Sequence, residues 1–121
     1  MVSLTTPLCD FGWSAPDFTL PGVDGKLHSL ATCRGPRGLL VMFICNHCPY
    51  VMTVIDRLCR DVAEVQHLGF GVAAIMSNDT AAYPEDSYPN MQRIARQYGF
   101  SFPYLFDEIQ DVARAYGAAC T

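Results

Sequence analysis

The feature that most constrains this chain is an abrupt change of hydrophobic period around residues 45–48. Gly38 to Ile44 (GLLVMFI) is apolar without alternation, and its length suits a strand covered on both faces rather than a helix. Cys45-Asn46-His47-Cys48-Pro49 follows. Beyond it Val51, Val54, Ile55, Leu58, Val62 and Val65 recur at three- and four-residue steps, which predicts an amphipathic helix over residues 49–68 stopped by Gly69. Gly71 to Met76 is a second apolar strand, so the segment forms a right-handed crossover between parallel strands. Helices covering both faces of such a sheet give an α/β layer architecture.

The flanking segments fit around that unit. Residues 1–15 have no period and are expected to be an irregular arm. Residues 16–37 are expected to hold an N-terminal β-hairpin and turn, with Phe18 to Leu20 and Leu27 to Leu30 paired across Asp24-Gly25. Residues 38–121 form the βαβα core, and residues 1–121 together are read as one domain. A second helix is expected from Tyr88 to Tyr98, with Pro89 in its first turn and Met91, Ile94, Ala95 and Tyr98 inward. Phe102 to Phe106 is extended. Asp107 with Gln110 is a capping-box pattern opening a last helix whose apolar stripe is Ile109, Val112, Ala113 and Tyr116.

Composition narrows the function classes. Eight Lys plus Arg against twelve Asp plus Glu are scattered along the chain and sum to −4, which argues against nucleic-acid and polybasic membrane partners. The longest apolar run is too short to span a bilayer, and the first residues lack the pattern of a secretory leader. Six cysteines in 121 residues are fewer than a disulfide-stapled mini-protein carries. Only Cys45 and Cys48 lie close together, so a reducing cytoplasm is the expected compartment.

Chemistry concentrates at that pair. Two thiols separated by two residues at a strand-to-helix junction can close a small disulfide, and the unpaired N–H groups of the helix start stabilise a thiolate. Cys45 is expected to be the nucleophile and Cys48 its resolving partner, with His47 tuning the thiolate and Pro49 tolerated because its missing donor would be orphaned anyway. No cofactor is required. A zinc knuckle needs a second ligand pair at short spacing, which Cys33, Cys59, His28, His67 and Cys120 do not offer, and only a metal site assembled in space stays open. Haem attachment needs His after the second Cys, where Pro49 stands.

The remaining candidates have simpler readings. Cys59, about 16 Å along the helix from Cys48, is expected to be a core thiol. Cys9 and Cys33 are expected in irregular, surface segments, and Cys120 is an auxiliary candidate because a loop there returns toward the strand ends. Asp79, Glu85 and Asp86 read as a solvated acidic loop, and Tyr50 and Trp13 as packing residues near the thiols.

Phe43 to Val51 (FICNHCPYV), Ser77 to Met91 (SNDTAAYPEDSYPNM), Phe102 to Thr121 (FPYLFDEIQDVARAYGAACT) and Ala15 to Lys26 (APDFTLPGVDGK) together resemble the peroxiredoxin-like, AhpC/TSA-type branch of the thioredoxin superfamily. The resemblance implies a thioredoxin-like fold with an N-terminal β-hairpin extension, a mostly parallel central sheet flanked by helices, and a missing C-terminal third. In such folds a cis-proline facing the thiol pair, two strands and a helix follow, the proline coming directly after the position of Thr121. Without them the strand at Gly38 to Ile44 sits at a sheet edge, where a second copy could pair. In family terms Cys45 matches the attacking thiol of thioredoxins, and Cys48 matches both their second thiol and the peroxidatic one of peroxiredoxins. Peroxiredoxins place a threonine where Cys45 stands and use an arginine that has no assigned counterpart here. The expected activity is therefore thiol–disulfide exchange with a protein or small-molecule disulfide and a thiol reductant. The alternatives are hydroperoxide reduction at Cys48, or a redox-inert module that keeps only the fold.

Overall fold

The computed structural model describes residues 4–121; the first three residues of the expected arm lie outside the described residues. Residues 4–15 carry neither helix nor strand. A short hairpin pairs β1 (Thr19–Pro21) with β2 (Leu27–Ser29), Leu20 opposite His28. A one-turn helix that the sequence pattern does not reveal, α1 (Leu30–Cys33), follows immediately. Its start is closed by a reciprocal pair of bonds in which Thr32 N–H donates to the Ser29 hydroxyl oxygen and Ser29 N–H to the Thr32 hydroxyl oxygen. Cys33 is buried in α1, not in the exposed, irregular segment expected for it.

The central sheet has three parallel strands in the order β3 (Gly38–Phe43), β4 (Phe70–Met76), β5 (Tyr104–Phe106). Helix α2 (Pro49–His67) crosses from β3 to β4, and α3 (Tyr88–Gln97) from β4 to β5 after a 3₁₀ turn at Pro84–Asp86. Alternation along β4 sorts the core. Val72, Ala74 and Met76 face Val51, Ile55 and Val62 of α2 and Met91 of α3, whereas Ala73 and Ile75 face Phe18, Leu20, Cys33 and Val112. β4 is thus the strand covered on both faces. β3 sits at the edge, with Leu40 exposed and its other residues half-buried.

Two helical expectations need correction. Val54 is exposed rather than part of the buried stripe of α2, because that stripe runs through Val51, Ile55 and Val62. Helix α4 (Asp111–Tyr116) begins four residues after Asp107, so Asp107 is not its N-cap residue. The N-cap is Gln110, in a left-handed backbone conformation. Asp107, fully buried, reaches across the turn to accept the N–H groups of Val112 and Ala113 and the hydroxyl of Ser77. Ile109 then falls in the turn and is exposed.

The start of β4 is crossed by the backbone that links α1 to β3. A Cβ on Gly71 would strike the carbonyl oxygen of Cys33 and the amide of Gly35, main-chain atoms that no rotamer change can move. Gly71→Ala is expected to cost about 3 kcal/mol, seen as a lower urea midpoint. An unchanged midpoint would contradict this close approach.

Candidate redox site

β3 ends at Phe43, and Ile44 still donates its N–H to the Ile75 carbonyl before the chain leaves the sheet at Cys45. Cys48 is the N-cap of α2 and Pro49 its first helical residue, where a fixed φ suits the helix start. Cys45 therefore lies in the loop ahead of the helix, not in its first turn. Cys9, Cys33, Cys45, Cys48, Cys59 and Cys120 are present as thiols.

This placement separates the two sulfurs electrostatically. Burial pushes the Cys45 thiol above its ordinary value, and bonds from the His47 and Cys48 backbone and the Thr121 hydroxyl only partly offset it, while the Asp86 carboxylate pushes it further up. Burial also works against ionisation of Cys48. There it is outweighed by bonds from the Thr121 hydroxyl, the N–H groups of Val51 and Tyr50, and the Cys45 thiol, which leave Cys48 below its ordinary value. The geometry thus favours the thiolate on Cys48 rather than, as expected, on Cys45, because the Thr121 hydroxyl and the donors of the first turn reach the N-cap residue. Both residues are also less accessible than expected, at 2% and 1% relative exposure. They nevertheless line a cleft of about 430 Å³ with His47, Pro49, Asn78, Tyr83 and Thr121.

Beneath the loop is a polar network that no spacing in the sequence reveals. Asp86, fully buried, accepts the Asn46 N–H at 2.8 Å, the Asn78 side-chain amide at 2.9 Å, and Nδ1–H of His47 at 3.0 Å. Asn46 donates to the Glu85 carbonyl and accepts the Tyr104 hydroxyl at 2.8 Å, and burial holds that hydroxyl far above its usual range. Asp79 and Glu85 are exposed, as a solvated loop requires, whereas Asp86 is a core residue. Pro84 and the 3₁₀ turn that it opens are what carry Asp86 inward. His47 stacks on Tyr83 with ring centroids 5.3 Å apart, and its Nδ1 lies 3.9 Å from the Cys45 sulfur.

The other candidates fall into place around this centre. Cys120 is exposed but lines the same cleft as the pair. Thr121, which the sequence gives no reason to single out, lies 3.7 Å from the Cys45 sulfur through its hydroxyl. Cys59 is half-buried against the core, Cys9 is exposed, and Tyr50 projects into solvent. Trp13 packs edge-on against Tyr116, and neither it nor Tyr50 lines the cleft.

A three-stranded parallel sheet preceded by a hairpin, with two thiols where its first strand meets a helix, defines a thioredoxin-like protein. The AhpC/TSA family profile matches residues 11–121, and the chain belongs to that family. An uncharacterized conserved protein from Geobacillus kaustophilus superposes with a TM-score of 0.91 and 43% identity, covering 98% of this chain and 66% of that one. A hypothetical protein from Sinorhizobium meliloti 1021 gives 0.87 and 39%, covering 96% of this chain and 63% of that one. The thiol-disulfide oxidoreductase ResA of Geobacillus thermodenitrificans is 28% identical over 109 residues, which are 88% of this chain and 56% of that protein. The chain thus spans about half the length of the curated relatives it matches.

Peptide-resolved alkylation checks the electrostatic asymmetry. As pH rises, iodoacetamide is expected to modify Cys48 at a lower pH than Cys45. Simultaneous onset, or Cys45 first, would contradict it.

Proposed function

We propose that the Cys45–Cys48 pair cycles between dithiol and disulfide in a thiol–disulfide oxidoreductase. The observation that carries this reading is the placement of both sulfurs in one cleft at the N-terminus of α2. The relative named a thiol-disulfide oxidoreductase supports the same class. In the forward direction a thiolate attacks a substrate disulfide, the substrate S–S bond breaks, and one substrate thiolate leaves to be protonated by solvent. The second cysteine, once deprotonated, attacks the resulting mixed disulfide and releases the other substrate thiol. Two electrons pass from the protein to the substrate, and a thiol reductant restores the pair.

The expected order has Cys45 attacking and Cys48 resolving. The Thr121 hydroxyl and the N–H groups of Val51 and Tyr50 favour the opposite order, because they stabilise charge on Cys48. The test is trapping with oxidised glutathione. Cys45→Ser is expected to accumulate a mixed disulfide on Cys48, and Cys48→Ser to accumulate at least ten times less. The converse pattern restores the expected order, and trapping on neither variant overturns the exchange reading.

The same feature favours one second reading, in which Cys48 reduces a hydroperoxide. Its thiolate would attack the peroxide oxygen to give a sulfenic acid and release an alcohol, and Cys45 would then condense with it, releasing water. Against this, the described residues lining the cleft include no arginine. The nearby Arg114 is held by the Ile109 carbonyl and the Asp111 carboxylate. Dimedone labelling of Cys45→Ser after a peroxide challenge is expected to be slight. Rapid stoichiometric labelling of Cys48 would move the assignment to peroxidase.

A further inference from the structure

We infer that Cys45, His47 and Asp86 form a binding site for a zinc-type divalent cation, independent of any role that Cys48 has in exchange. Cys45 Sγ, His47 Nδ1 and a carboxylate oxygen of Asp86 all lie within 4.8 Å of one another. The histidine nitrogen is 3.0 Å from Asp86 Oδ2 and 3.9 Å from the sulfur. Ligands on a tetrahedral zinc, bonded at about 2.0–2.3 Å, stand roughly 3.3–3.8 Å apart. The His47–Cys45 side, at 3.9 Å, is already close to that spacing, and the His47–Asp86 side, at 3.0 Å, is a hydrogen bond that ligation would lengthen.

The donor set selects the class of ion. Sulfur and imidazole nitrogen beside one carboxylate suit zinc and its neighbours and do not suit magnesium or calcium, which take oxygen ligands. Three protein ligands leave a fourth position unfilled, the arrangement of a reactive rather than a closed structural site, and two of the three, Cys45 and His47, line the cleft. The carboxylate is already oriented for the task. The Asn46 N–H holds Oδ1 and the Asn78 amide holds Oδ2, and both bonds are compatible with ligation, as outer partners of a metal-bound carboxylate are.

Charge points the same way. Asp86 is a fully buried carboxylate, and the basic side chain that pairs with it is His47. A divalent cation would balance the Asp86 carboxylate together with the thiolate that Cys45 becomes on binding, two charges that would otherwise repel each other. On binding, the thiol proton leaves to solvent and the ring proton moves from Nδ1 to Nε2, so a neutral imidazole becomes the third ligand. The site is assembled from residues forty positions apart, which is why linear ligand spacing does not reveal it.

Metal binding and disulfide exchange would then compete for the Cys45 sulfur. Separating this site from ordinary chelation by the two thiols is the purpose of the test. The reduced full chain is dialysed against zinc, and cobalt(II) serves as a spectroscopic probe of thiolate ligation through its charge-transfer absorption. One equivalent is expected in the wild type, with affinity retained within about threefold in Cys48→Ser. His47→Ala and Asp86→Asn are each expected to weaken binding at least tenfold, and Cys45→Ser to abolish the cobalt–thiolate band. His47 is partly exposed, so its variant decides the matter should Asp86→Asn fail to fold. Absence of stoichiometric binding by the wild type overturns the site. So does loss of binding in Cys48→Ser, or unchanged affinity in His47→Ala. Because the glutathione traps need no metal and Cys48→Ser is expected to bind it, failure here is distinct from failure of the exchange reading.

Discussion

The conformation of the thiol loop rests on one buried carboxylate. Asp86 has left water entirely, and an ionised oxygen in such a place is tolerable only if donors replace its hydration. Those donors are the backbone N–H of Asn46 inside the loop, the side chain of Asn78 after β4, and the ring of His47. Each bond constrains a different segment. The loop that separates the two cysteines is held from below by a residue that enters the core between β4 and α3. Removing the carboxylate would therefore disturb more than one contact, since Asn46 also receives the Tyr104 hydroxyl from the first residue of β5.

The sheet supplies the rigidity that this arrangement needs. Main-chain pairing carries β3 and β4 in register from Gly38 opposite Phe70 to Phe43 opposite Ile75, so Cys45 leaves the sheet from a fixed height. α2 packs Val51, Ile55 and Val62 on β4, which sets where its first turn points its donors. The asymmetry between the thiols follows from this construction. Cys48 sits beside the Thr121 hydroxyl where helix N–H groups converge, and Cys45 sits one step back, beside a negative charge.

Much of the fold was legible because apolar periodicity reports burial directly. The change from GLLVMFI to the stripe of α2 located β3 and α2 within a residue or two, and Gly69 marked the helix end. Local patterns were weaker guides where a tertiary contact overrides them. Asp107 has the sequence context of a cap, yet it works across a turn that Gln110 closes in a left-handed conformation. The pair Cys45 and Cys48 was visible from spacing and context alone. Asn46, Asn78, Asp86, Tyr104 and Thr121 were not, since each acquires its role from partners distant in the chain. An acidic residue among Pro, Asp and Glu looks solvated, and only the fold shows which of Asp79, Glu85 and Asp86 is turned inward.

The hairpin has a consequence beyond its own packing. Gly22 bridges to Leu105, Val23 donates its N–H to the Tyr104 carbonyl, and the side chains of Tyr88 and Gln92 fasten the same turn, so the outer side of β5 is already occupied. Among the described residues the opposite rim of the sheet is Gly38–Phe43. That rim runs straight into Cys45. The hairpin thus anchors the side of the sheet that carries Tyr104, whose hydroxyl reaches Asn46 in the thiol loop, while the strand at the other side delivers the first sulfur.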